Sequence, residues 1–175
     1  MKPQDIQFRD QRVLTLIFDL LHLLEIGATG HSLPLQNAAA RAAITNAALL
    51  LECAANSCLL ALAVPGKLAE EIDRLPTFAK LDYFLFAVAA RHIDRTCRES
   101  ELAAEVLKIR NHIVHPKPKG GVLVGDLFSG YVDYGTTNAT RIPLDTRQWS
   151  VSIALPLVQS VFAFAKKYFL RMVCI

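Results

Sequence analysis

The stretch from Pro34 to Ala63 constrains the fold more than any other part of the sequence. It holds many alanines and only two charged residues, Arg41 and Glu52. As a helix rising 1.5 Å per residue, it would be roughly 45 Å long. A helix that is apolar on nearly every side is buried on most of its faces. The sequence therefore predicts a long central helix surrounded by other helices.

Three of the polar residues in this helix are informative, namely Asn46, Glu52 and Asn56. Buried polar groups need partners, so each must find a hydrogen bond. Glu52 and Asn56 are four residues apart and share one face of the helix. Two explanations remain open for this pair. The side chains bond to neighbouring backbone, or they lie beside the basic segment that occurs later in the chain.

Helical spacing of apolar residues recurs on both sides of this stretch. Glycine and proline mark where the helices end. The predicted helices run from about Asp10 to Gly27, from Pro34 to Ala63, from Lys67 to Leu75, from Thr77 to His92 with Thr77 as cap, from Glu99 to Val114, and from Thr146 or Ser150 to Val173. We expect an all-α fold, with residues 1–175 forming a single domain whose core spans about 10–170.

The pattern changes between residues 120 and 145, where apolar residues lie among glycines and aspartates. Such a pattern is typical of a long loop or a small β-hairpin. We therefore predict an insertion at about 120–145, before the last helix. Long loops within compact domains are often functional.

The sequence is 53% hydrophobic, which is high for a soluble monomer. A membrane or a large protein interface would account for the excess. The segment from Ala42 to Val64 would place Glu52 near mid-bilayer, which is costly. The segment from Val151 to Phe164 is shorter than the roughly 20 residues that a span needs. We therefore expect no membrane insertion, and buried helices at an oligomer interface instead.

The location predicted from the sequence is the cytoplasm. No secretory signal is evident at the start of the chain. The four cysteines form no CxxC pattern, and we expect them to be buried, reduced thiols. They are Cys53, Cys58, Cys97 and Cys174.

A basic segment, from Leu107 to Lys119, spans the end of the fifth predicted helix and the residues after it. No Asp or Glu occurs from Leu107 to Gly125, and Pro116 fixes the end of the helix. Net charge is only +3, so any affinity for nucleic acid must come from such clustering. The cationic and titratable side chains of the segment are Lys108, Arg110, His112, His115, Lys117 and Lys119.

These residue types are sufficient for metal-independent RNA cleavage. His115, at a helix C-terminus, suits general acid or base catalysis, and Asn111 lies four residues away to orient its imidazole. Arg110 suits a phosphate because its planar fork donates two parallel hydrogen bonds. Lys117 and Lys119 would follow the flanking RNA backbone. One copy supplies one strong acid or base, whereas a twofold dimer would supply two.

A structural role for the same residues remains an alternative. Arg110 would then pair with Glu52 or Glu105, and His115 would cap the carbonyls of its helix. A metal site at His112 and His115 lacks a nearby carboxylate or cysteine. The chain has no phosphate loop, no GxSxG elbow and no HExxH motif.

The run Arg110-Asn111-His112-Ile113-Val114-His115 resembles the motif of the HEPN family. The resemblance implies an up-and-down bundle of four to five helices that commonly dimerises with the motifs facing each other. It also implies an endoribonuclease of toxin or defence type without cofactor or metal, and a possible nucleotidyltransferase-like antitoxin as partner. Other members of the family are non-catalytic RNA- or protein-binding modules.

Carried over to this chain, the resemblance makes Arg110 and His115 catalytic, together with Asn111. Glu52 matches loosely a polar position that some members place beside the arginine. The full set of predicted site residues is Arg110, His115 and Asn111 for catalysis, Glu52 and His112 for support, and Lys108, Lys117 and Lys119 for RNA binding.

Overall fold

The computed structural model of the chain describes residues 11–114, 135–137 and 141–169. Over these residues the protein is an all-α helical bundle, as the sequence predicts. A short 3₁₀ helix, Thr146–Gln148, precedes the last α-helix. The α-helices are α1 Gln11–Thr29, α2 Leu33–Ala61, α3 Gly66–Asp73, α4 Thr77–Ala89, α5 Arg98–Val114 and α6 Val151–Tyr168.

Helix α2 is the centre of the bundle, and it packs against α1, α4, α5 and α6. Several of its alanines are completely buried, among them Ala40, Ala43, Ala47 and Ala48. Their small side chains let neighbouring helices approach closely on more than one side. The helix is central, as predicted, but ten of its 29 residues are buried, which is less than burial on most faces would give.

The same helix is long and apolar enough to cross a membrane, and it is the one such helix in the described part of the chain. Of its most apolar 18-residue window, 44% is buried inside the protein. The central helix of a bundle is as apolar as a membrane helix, because apolar side chains of neighbouring helices surround it as lipid would.

The turn between α1 and α2 depends on Gly30 rather than on Gly27. A Cβ at Gly30 would lie 2.6 Å from the carbonyl oxygen of Ile26, so this position requires glycine. Helix α1 ends at Thr29, two residues beyond the predicted stop near Gly27, and Gly30 finishes the turn as predicted. Gly27 is buried inside the helix, where a Cβ would lie 3.5 Å from Val151 of α6. That distance is an ordinary van der Waals contact, so the packing of α1 against α6 would also accept an alanine here.

Helix α4 ends earlier than predicted and begins without the expected cap. Pro76 occupies the N-cap position, and no side chain caps the helix, so the prediction that Thr77 is the cap is wrong. Ala90 adopts a left-handed conformation with φ of 50°, which ends the helix before His92. His92 then lies beside the helix, with its Nδ1 3.1 Å from Asp82 Oδ2.

The predicted insertion contains one isolated antiparallel bridge among its described residues, between Thr136 and Pro143. No strand is present in the described ranges. Trp149 is buried just before α6, and its indole N–H donates to the carbonyl oxygen of Pro143 at 2.6 Å. Asp145 accepts from the backbone N–H of Arg147 and starts the 3₁₀ helix. This anchors the end of the insertion to the bundle.

Candidate functional site

Arg110 lies near the C-terminal end of α5, where α5 packs against α2. Its Nη2 is 3.4 Å from Oε2 of Glu52 on α2. The two side chains are 29% and 27% exposed. Of the two explanations for Glu52, the structure therefore supports placement beside the basic segment. The separation is long for a charge-assisted hydrogen bond, so Glu52 binds the guanidinium weakly.

Asn111 is the second residue that contacts the guanidinium. Arg110 Nη1 donates to Asn111 Oδ1 at 3.0 Å, and Asn111 is exposed. These two contacts need two of the five N–H donors that an arginine carries. Asn111 therefore orients Arg110, which sequence reasoning did not anticipate. Its expected contact with His115 lies outside the described residues.

One turn further along α2, Asn56 binds a buried lysine from α4. Lys80 Nζ donates to Asn56 Oδ1 at 2.9 Å and to Asp73 Oδ1, at the end of α3, at 2.8 Å. The Lys80 side chain is 9% exposed, whereas that of Asp73 is 77% exposed. The hydrogen bond from Lys80 and its positive charge lower the pKa of Asp73 below its usual range. The ion pair therefore joins a buried cation to an exposed anion.

Glu52 and Asn56 thus hold two cations on one face of α2. The two α2 residues are four apart, which is about 6 Å along the helix axis. Arg110 reaches the first from α5, and Lys80 reaches the second from α4. We call these four side chains, together with Asp73, the α2 cation face.

Sequence reasoning identified Glu52, Asn56 and Arg110 but missed Lys80 and Asp73. A signal for Lys80 was present, because it lies four residues before Phe84 and next to Leu81, on the buried side of α4. A lysine in such a position must be paired. Nothing in the sequence pointed to Asp73, because its contact with Lys80 depends on how α3 is placed relative to α4.

The remaining predicted residues are partly described. His112 is half-buried in the last turn of α5, and Lys108 is exposed. His115, Lys117 and Lys119 lie outside the described residues. Glu105, named as an alternative partner for Arg110, is buried within α5.

The opposite end of α5 holds a second polar cluster, which we call the Cys97 cluster. Cys97 Sγ is 3.1 Å from Ser100 Oγ and 3.3 Å from Tyr168 Oη. Tyr168 Oη donates to the carbonyl oxygen of Asp94 at 3.3 Å. Lys167 Nζ donates to Glu99 Oε2 at 3.0 Å. The cluster therefore ties the start of α5 to the end of α6.

Burial and hydrogen bonding act in opposite directions on the cysteines. At Cys97 partial burial raises the pKa, but hydrogen bonds with Ser100, Tyr168 and Lys167 outweigh it and lower the pKa below its ordinary value. Burial raises the pKa of Cys58 to about 12. Cys58 is buried, whereas Cys53 and Cys97 are half-buried, so the prediction that all cysteines are buried is wrong.

Within the described ranges, no group of three or more His, Cys, Asp and Glu side chains is placed to hold a metal ion. Comparison of the chain with protein-family models, with curated proteins and with solved structures finds no match. The geometry of the α2 cation face and the adjoining motif is therefore the basis for a functional assignment.

Proposed function

We propose that this protein is a metal-independent endoribonuclease of toxin or defence type, with a HEPN-like bundle and a composite site across a homodimer. The observation that carries the proposal is the state of Arg110. Its guanidinium is held by Glu52 and Asn111 yet remains partly exposed at the end of α5. An arginine oriented in this way is ready to bind a phosphate through its remaining donors.

In the proposed reaction Arg110 stabilises the negative charge that grows on the scissile phosphate. His115 takes the proton of the ribose 2′-OH or gives one to the leaving 5′-oxygen. Two copies arranged about a twofold axis supply one histidine for each of these steps. Lys108, Lys117 and Lys119 bind the flanking phosphates, and His112 supports the helix end. No cofactor takes part.

The proposal extends to the setting of the protein. The apolar excess of the chain is assigned to the homodimer interface rather than to a membrane, and the protein acts in the cytoplasm. A nucleotidyltransferase-like antitoxin is the natural class of inhibitor for such a toxin.

Incubation of the pure protein with single-stranded and structured RNA in EDTA tests the proposal. We expect cleavage, and we expect His115→Ala to lower the rate by at least about 100-fold, as is typical for loss of a general acid or base. A chain that leaves RNA intact, or a His115→Ala variant as active as the parent, would refute it.

The dimer makes a separate prediction. Light scattering at micromolar concentration should give twice the mass of the chain. If the site is composite, wild-type chains mixed with excess His115→Ala chains should lose activity beyond simple dilution. A monomer with full activity would contradict the composite site while leaving the chemistry of Arg110 intact.

A non-catalytic RNA-binding module is the second candidate, and one observation favours it. Arg110 already has a carboxylate partner in Glu52, as expected of an ion pair that ties α5 to α2. This candidate predicts RNA binding that weakens with salt but no turnover. The cleavage assay in EDTA separates the two.

A further inference from the structure

The α2 cation face contains a lysine whose only described carboxylate partner is at the surface. Lys80 is 8% exposed as a residue, and its ammonium group bonds to the neutral amide of Asn56 and to Asp73. A buried ammonium needs a counter-charge. Within the described ranges that charge comes from Asp73, whose side chain is 77% exposed. A solvent-exposed carboxylate is a partner that another anion can replace.

The helix that carries Asp73 is weakly attached to the bundle. Helix α3 has one buried residue, Ile72, and it makes few contacts with the other helices. Pro65 precedes it, and Pro76 follows its end closely. Movement of α3 away from Lys80 therefore costs little buried apolar surface.

The position of Lys80 relative to Arg110 suits a polyanion. Arg110 and Lys80 are bound to α2 side chains one helical turn apart and on the same face. With Asp73 in place the net charge of the face is zero, because the charges of Lys80 and Arg110 balance those of Asp73 and Glu52. A phosphate at Lys80 would take the place of the Asp73 charge and leave the balance of the face unchanged.

We propose that Lys80 is a further phosphate-binding group beside Arg110, and that Asp73 pairs with Lys80 until an RNA phosphate takes the place of Asp73. The inference deepens the proposed function and rests on it, because it assumes that Arg110 binds the scissile phosphate. Lys80 then binds a neighbouring phosphate of the same strand. It is a positioning residue that sets how far substrate must extend beyond the cleavage point.

The direction in which one substitution changes the RNA affinity separates this role from a structural one. Asp73→Asn removes the competing charge while it keeps the size of the side chain. If Lys80 binds RNA, Asp73→Asn should tighten RNA binding by about threefold, the scale of an exposed ion pair. If the ion pair only fastens α3, the same substitution should leave the affinity unchanged or weaken it. Glu70→Gln, an exposed carboxylate on the same helix, is the matched control.

The measurement is fluorescence anisotropy of a short labelled single-stranded RNA across a salt series, with every variant built on His115→Ala to prevent cleavage. Lys80→Met should weaken binding and make the slope of log K against log salt shallower by about 0.7. Lys80→Arg, which keeps the charge, should bind within about twofold of the parent. Thermal melting reports whether each variant is folded, and Asp73→Asn decides the matter if Lys80→Met unfolds.

The inference is overturned if Asp73→Asn fails to tighten binding, or if a folded Lys80→Met variant binds with unchanged affinity and salt slope. Failure of the proposed function is seen separately, as an absence of cleavage by the wild-type chain in EDTA. Binding that depends on Lys80 and Asp73 without any cleavage would retain the phosphate site and reject the nuclease.

Discussion

The two ends of α5 differ in how their polar side chains are used. At the N-terminal end the Cys97 cluster joins α5 to α6 through Ser100, Tyr168 and a backbone carbonyl. At the C-terminal end Arg110 is half-exposed and reaches Glu52 at 3.4 Å. At the first end, Ser100 and Tyr168 are buried and hydrogen-bonded within the fold. At the second, the guanidinium of Arg110 has two partners and stays 29% exposed.

This difference separates stability from function along a single helix. Tyr168 is 5% exposed and packs against Phe164, so its removal disturbs the core. Arg110 and Glu52 are less buried than Tyr168 and Ser100, and less stability depends on them. Substitutions at the Cys97 end should therefore lower the free energy of unfolding, whereas substitutions at the Arg110 end should mainly lower RNA cleavage.

The largest effect is expected from Tyr168→Ala. It creates a cavity beside Phe164 and removes the hydroxyl from the Cys97 cluster, at a cost of about 3–5 kcal/mol in the free energy of unfolding. Tyr168→Phe retains the packing and should cost about 1 kcal/mol. Urea denaturation measures both. A neutral Tyr168→Ala would mean that α6 does not depend on this cluster.

The second effect concerns two thiols in different surroundings. Burial within α2 raises the pKa of Cys58 to about 12, whereas hydrogen bonds at the start of α5 lower that of Cys97. Because the thiolate is the reactive species, iodoacetamide at pH 8 should modify Cys97 at least about 100-fold faster than Cys58. Peptide mass mapping over time gives the two rates. Equal rates would remove the electrostatic distinction between these sites.

A smaller effect is expected for the ion pair between Glu52 and Arg110. Glu52→Gln and Arg110→Met should each lower the free energy of unfolding by about 1 kcal/mol or less. The double-mutant cycle should give a coupling of about 0.5–1 kcal/mol. A coupling several times larger would show that Arg110 is primarily a structural residue and would favour the non-catalytic module.

The smallest effect is the pH dependence contributed by Glu99. The hydrogen bond from Lys167 lowers the pKa of Glu99 from 4.5 to about 2. A carboxyl whose pKa is lower in the folded state stabilises the fold above its unfolded pKa, and this contribution is lost as pH falls from about 5 toward 2. The melting temperature of Glu99→Gln should lie below that of the wild type at pH 7 and converge with it near pH 2. A constant difference would contradict this assignment.

Most of the fold could be predicted from the sequence because it depends on local signals. Helix α2 is defined by its apolar length, Pro34 marks its first turn, and α5 was placed to within one residue at its start. The ends of α1 and α4 were misplaced. There, a glycine tolerated inside α1 and a left-handed alanine after α4 overrode the local pattern.

The candidate site was only half predictable. Arg110 and Asn111 belong to a short local motif, and Glu52 was conspicuous as a charge within an apolar helix. The pairing of Lys80 with Asp73 depends on how α3 folds back between two prolines, which periodicity does not encode. The contact from Arg110 to Asn111 was missed because adjacent residues of a helix point in different directions, and only the length of the arginine allows it.

The central claim is that Arg110 contacts the scissile phosphate. The measurement that tests it most directly is kcat/KM for RNA cleavage in EDTA by Arg110→Lys, compared with Arg98→Lys at the exposed start of the same helix. Lysine keeps the charge but not the fork, so Arg110→Lys should lose about 100-fold or more, while Arg98→Lys stays within about twofold. Equal activity of the two variants would contradict the account.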